Sequence, residues 1–148
     1  MLPSGTLTAV MLVTVVVGMT AALLAWRERQ EPGAVPLTAM LAGQVWWSVF
    51  FIFEHHAPTL ARKVFYSDIQ WAGVVVIPVA WLLFALEYTG RDRYVRPRYV
   101  ALLSVVPVVT VALVATDGYH DLLYLDTRLV TESGRAVLDR VGGPWYWV

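Results

Sequence analysis

Glu54-His55-His56 sets a carboxylate and two imidazoles side by side where a long apolar run ends. Asp68 follows across a short polar stretch, and His120 comes just after a later apolar run. Such groups hold a small ligand when they converge at a mouth walled by apolar and aromatic side chains. Trp47 and Trp71 supply walls of that kind, and Gln44 is the one strongly polar side chain deep inside an apolar run. Glu54, His55, Asp68, His120, Gln44, Trp47 and Trp71 are therefore the candidate ligand-binding residues. The competing reading makes them solvated boundary residues and caps, with Asp68 as a helix N-cap. Gln44 would then make an interhelical hydrogen bond worth about 0.6–2 kcal/mol in lipid.

The same side-chain types are first-row metal ligands. Adjacent histidines on a helix point about 100° apart, and no His-x-x-x-His spacing occurs, so no metal is assigned. Histidines at these positions would also titrate near neutral pH and report it. The absence of cysteine excludes thiol catalysis, a disulfide scaffold and a Cys-ligated metal. Retinal chemistry needs a Schiff-base lysine in a late helix; Lys63, the only lysine, falls in a loop and the late helices are not in this sequence, so that chemistry is neither supported nor excluded. No catalytic residue and no cofactor is expected, and the zero formal charge gives no reason to expect nucleic acid as a partner.

The elements that position these residues are apolar. Of 148 residues, 58% are hydrophobic and 15% charged, against about 25% charged in soluble domains. Charge is absent from Met1 to Trp26, Pro32 to Phe53, Ile69 to Leu86 and Tyr99 to Thr116. Each run is long enough to cross most of a hydrocarbon core of about 30 Å at about 1.5 Å per residue. Gly5–Trp26 alone holds nine Leu or Val residues, each favouring insertion by about 0.3–0.6 kcal/mol. A soluble bundle would leave four helices apolar on every face without polar surface to solvate them. A cleaved signal peptide would show a basic start, and none is present.

The expected fold is an all-α polytopic transmembrane helix bundle. Its spans are residues 5–26, 35–53, 69–88 and 99–116. Gly18 with Ala22, and Ala39 with Gly43, give the small-xxx-small spacing that lets helices approach closely in lipid. Pro78 should kink the third span, and the fourth carries Pro107 at comparable depth; the two either permit small helix shifts or simply shape the bundle. Glu87 and Arg91 can pair at the end of the third. Residues 117–143 alternate in pattern around a turn at Glu132–Arg135 and read as an external β-hairpin, with a short interfacial helix as the alternative. Pro144 then precedes an aromatic belt that starts a fifth span at 144–148, so the chain reads as a truncated fragment of a longer protein.

Orientation follows from arginine density. Arg27 and Arg29 occupy the first loop, and Arg91, Arg93, Arg96 and Arg98 the third. The opposite side carries Arg62, Lys63, Arg128, Arg135 and Arg140 over longer stretches. The sum is only six against five, and density in short loops decides it. The arginine-rich loops face the cytoplasm and the N-terminus lies outside.

Several segments, in order, resemble the N-terminal seven-transmembrane region of sensor histidine kinases. Leu83-Phe84-Ala85-Leu86-Glu87-Tyr88-Thr89-Gly90-Arg91 leads through a basic loop to a helix with Pro107. Thr116-Asp117-Gly118-Tyr119-His120-Asp121-Leu122-Leu123-Tyr124 is similar to that family's Thr-x-x-x-His-x-Leu-hydrophobic-aromatic stretch. Pro32-Gly33-Ala34, Trp46-Trp47-Ser48, Glu54 and Gly143-Pro144-Trp145-Tyr146-Trp147 also fit. The resemblance covers about four and a half of seven helices. It implies a multi-pass cell-membrane sensor in a two-component system, passing an external or membrane-borne stimulus to a cytoplasmic kinase absent from this chain. Its implied partners are the lipid bilayer, an unidentified stimulus or small ligand, a second copy of itself, and a response regulator reached through the kinase. No phosphoacceptor helix and no Gly-rich nucleotide loop is present, so the chain is not expected to be an enzyme. The rival reading is a fragment of a transporter or channel for an uncharged solute, because the spans carry no ionisable residue at mid-depth.

Overall fold

A computed structural model describes residues 4–132 and 135–147. Helix α1 spans Ser4–Arg27 and α2 spans Ala34–His56. The third apolar stretch is two helices in tandem, α3 (Leu60–Val74) and α4 (Val76–Tyr88). The fourth is likewise α5 (Pro97–Leu103) and α6 (Val105–Thr116). Strands β1 (Tyr124–Glu132) and β2 (Arg135–Gly142) form an antiparallel hairpin, and a 3₁₀ turn at Pro144–Trp147 follows. Four stretches are thus long and apolar enough to cross a membrane. Only 11% to 22% of the residues in their apolar windows are buried, so most of that apolar surface points outward, as lipid allows and water does not.

Both tandem breaks have one cause. Pro78 has no N–H for the Val74 carbonyl, and Pro107 has none for that of Leu103. The helices part at Val75 and Ser104, each still in αR geometry. Each interruption thus falls one turn before its proline, with the backbone bonds on either side kept. Ser104 adds to the second break, since its Oγ donates to the Val100 carbonyl at 2.8 Å, a bond that bends helices.

The third span begins at Leu60 rather than Ile69, with Thr59 as its N-cap accepting the Arg62 N–H. Arg62 and Lys63 are therefore helical, not loop residues. Lys63 is 5% exposed and its Nζ donates to the Glu54 carbonyl at 2.9 Å, so a cation from α3 caps the end of α2. Asp68 lies inside α3 and caps nothing. At about 1.5 Å per residue it sits roughly 12 Å below the start of that helix.

Small residues set the helix spacing. A Cβ on Gly18 would meet Val45 at 2.9 Å, and one on Gly43 would meet the Gly73 carbonyl at 2.8 Å. The α1–α2 and α2–α3 contacts thus run through Gly18 and Gly43, as their spacing suggests. Glu87 does not join Arg91 among the described ion pairs. Its Oε2 accepts the Gly33 N–H at 2.7 Å, and Gly33, at φ 86°, adopts the left-handed turn that starts α2. This bond fastens the far end of α4 to α2.

The 117–143 segment forms the hairpin that its alternation predicts, not an interfacial helix. Thr127 faces Arg140, Leu129 faces Leu138, and an irregularity falls between Tyr124 and Asp126. The central turn residues 133 and 134 lie outside the described residues, as does 148 at the end of the expected fifth span.

Candidate functional site

The candidate site grows from the junction of the hairpin with α3. On β2, Arg140 is the cross-strand partner of Thr127, and its Nη1 donates to Asp68 Oδ1 at 2.8 Å and to Ser67 Oγ at 3.4 Å. The guanidinium lies over the Tyr124 ring, 4.1 Å from its centroid, a cation–π contact. One turn along α3 from Asp68, Trp71 Nε1 donates to the Tyr124 hydroxyl at 2.8 Å and meets Tyr146 edge-on at 6.0 Å. Burial pushes the Tyr124 phenol above its ordinary value, with the bonds from Trp71 and Arg140 opposing that rise.

Two terms oppose each other at this junction. The Arg140 side chain is 9% exposed and that of Asp68 is 31% exposed. A hydrogen bond to a charged group contributes about 1.5–3 kcal/mol. Yet Arg140 Nε is buried without an acceptor among the described residues, which costs about 1–3 kcal/mol. The orphaned Nε offsets part of what the ion pair contributes, and the hairpin is held as well by Trp71 on Tyr124 and by Trp145 on Thr110.

The loop before β1 is held from inside. Asp117 Oδ1 accepts the Leu123 N–H at 2.8 Å, and its Oδ2 accepts that of Tyr124 at 3.1 Å. Leu123 is fully buried. His120 Nδ1 accepts the Leu122 N–H at 3.2 Å, so its Nε2 carries the proton toward Thr116 Oγ1 at 3.0 Å. His120 thus shapes the turn and stands apart from Asp68. Past β2, Trp145 Nε1 donates to Thr110 Oγ1 at 3.0 Å, which ties the hairpin to α6 as well.

Of the expected ligand-binding residues, the structure brings together only Asp68 and Trp71, joined by Arg140, Tyr124 and Tyr146. Glu54 Oε2 accepts from Gln70 Nε2 at 2.6 Å and links α2 to α3 rather than facing an open mouth. The His55 ring stacks on Phe51 at 6.3 Å, and His56 Nε2 lies 2.9 Å from Thr8 Oγ1 of α1. Gln44 Nε2 donates to Ser48 Oγ at 3.3 Å within its own helix, so the interhelical bond expected of it is not made. Trp47 sits 5.9 Å from Phe51 on the same helix. Among the described residues no three His, Asp or Glu side chains converge as a metal set.

Arg140, Tyr124, Gln70 and Lys63 went unsuspected in the sequence. Arg140 reads there as one more polar position of an alternating strand, and its partner is distant in the chain. Beside Asp68 a cavity of about 440 Å³ opens between Trp46, Phe65 and Ile69 of α2 and α3 and Val111 and Val114 of α6. Its walls are apolar and aromatic, with Asp68 at one edge. A site of this kind binds by shape and dispersion, with charge only at its rim.

A family model described as the N-terminal 7TM region of histidine kinase matches residues 10–148. No curated protein and no solved structure matches the chain.

Proposed function

Because the chain belongs to the N-terminal 7TM region of histidine kinases, we propose that it is the membrane-embedded input module of a two-component sensor. It receives an external or membrane-borne stimulus and passes it to a cytoplasmic phosphotransfer domain. The N-terminus and the hairpin lie outside, and the arginine-rich loops lie in the cytoplasm. The protein works as a homodimer and signals to a response regulator.

The Arg140–Asp68 tie is the single observation that carries this reading. It joins a hairpin beyond the membrane to a spanning helix by a partly buried ion pair. A stimulus that prefers the tied or the untied arrangement shifts the population between them, by as much as its affinities for the two differ. Asp68 and Trp71 are the residues nearest to that stimulus. Glu54, His55, Gln44, Trp47 and His120 support helix packing and the turn. Family membership favours sensing over the transport of an uncharged solute.

The test is autophosphorylation of the full-length protein in lipid vesicles supplied with labelled ATP. An acid-labile phosphohistidine whose level changes in Arg140→Ala is the expected result. Incorporation indifferent to Arg140 would refute the hairpin as the input element.

A further inference from the structure

We propose that α5 is a swinging arm, hinged at Ser104, that opens and closes against α4 across the cavity between them. The hinge stands on geometry alone; only its use as the output of a stimulus rests on the sensory reading above.

The first three apolar stretches form one block. α2 packs against α1, α3 and α4. Trp46 Nε1 donates to the Ile69 carbonyl at 2.9 Å, Gln70 bonds Glu54, and Glu87 holds the Gly33 N–H. The α3–α4 break at Val75 is therefore spanned on one side by α2, and its two halves are fixed to a common partner.

The fourth stretch is attached at one half only. α6 packs on α3, its Thr110 accepts from Trp145, and Asp117 at its end holds the hairpin loop. α5 has no buried residue and little direct contact with α4. A cavity of about 340 Å³ separates it from the block, walled by Val35 and Ala39 of α2 and Ala80 and Leu83 of α4 on one side and by Val100 and Ser104 on the other. Among the described residues that line it, Glu87 is the one acidic or basic side chain, and the Gly33 N–H already engages it. At the hinge the Leu103 carbonyl lacks its Pro107 donor, and Ser104 Oγ competes for the Val100 carbonyl. Movement of the hairpin reaches α6 through Trp145 and Asp117. An arm freed at Ser104 carries that movement to the Arg91–Arg98 loop, which α5 adjoins.

Distances between paired spin labels in lipid nanodiscs test this directly, since the chain has no native cysteine. One pair is Leu82→Cys with Leu102→Cys, across α4 and α5; the other is Ala72→Cys with Val111→Cys, across α3 and α6. The first should give a broad or two-peaked distribution and the second a single narrow one. Pro107→Ala restores the missing donor and should collapse the first distribution to one peak. Ser104→Ala, which keeps the proline, should narrow it less. A narrow first distribution in the parent chain, or a broad one that neither substitution changes, would overturn the hinge. Neither outcome depends on kinase activity, so a failed sensor assay leaves the measurement intact.

Discussion

Arg140 Nη1 donates to Asp68 Oδ1 at 2.8 Å, joining the second strand of the hairpin to the middle of α3. The two partners differ in burial, and their removal should differ in cost. Asp68→Ala strands a guanidinium that is 9% exposed and should cost about 2–3 kcal/mol. Arg140→Ala removes the unsatisfied Nε together with the bond and should cost about 1 kcal/mol. The double variant should be less destabilised than the sum. Denaturation in detergent micelles, arranged as a double-mutant cycle, reads the difference; equal and additive losses would contradict a coupled pair with unequal partners.

Tyr124 makes the junction sensitive to alkaline pH. Its phenol holds its proton more tightly folded than unfolded, so its contribution is complete below the ordinary value of 10.0. Above that pH the unfolded chain releases the proton first, and stability falls until the folded phenol also ionises. Tyr124→Phe should flatten this alkaline loss, whereas Tyr119→Phe, at a position 93% exposed, should leave it unchanged. Melting curves taken at stepped pH values above 9 check both.

The α2–α3 contact depends on two facing glycines. A Cβ on Gly73 would meet the Gly43 carbonyl at 2.6 Å, closer than packing allows, so Gly73→Ala should destabilise by about 1–3 kcal/mol. Gly5→Ala, with open space around it, should be neutral or slightly stabilising. Equal thermal midpoints for the two variants would show that the helices do not meet there.

Sidedness is checked with single cysteines. Thr131→Cys on the hairpin should react with an impermeant thiol reagent applied outside cells. Asp92→Cys, in the arginine-rich loop, should react only after permeabilisation. Labelling of Asp92→Cys in intact cells would reverse the topology.

The spans and the hairpin were legible because their signals are local. Charge-free runs mark the helices, alternation between Tyr124 and Val141 marks the strands, and Pro78 and Pro107 locate both breaks to within a turn. The start of α3 was not legible. Arg62 and Lys63 look like loop charges until Lys63 is seen capping the carbonyls of α2, a contact that depends on how two helices meet. The contacts of Asp68 with Arg140 and of Trp71 with Tyr124 were not legible, since nothing near these residues in the chain announces a partner on another element. Glu54 and Gln44 signal a need for a hydrogen bond, and Gln70 and Ser48 supply one to each.

The most direct test exchanges the two charges of the junction in the kinase proposed to carry this module. Asp68→Arg and Arg140→Asp, each alone, place like charges together and should shift basal autophosphorylation in vesicles. The double exchange restores an opposite-charge pair and should return the basal level toward that of the parent. Three variants indistinguishable from the parent, or a double variant no closer to it than either single one, would contradict the hairpin tie as the input contact.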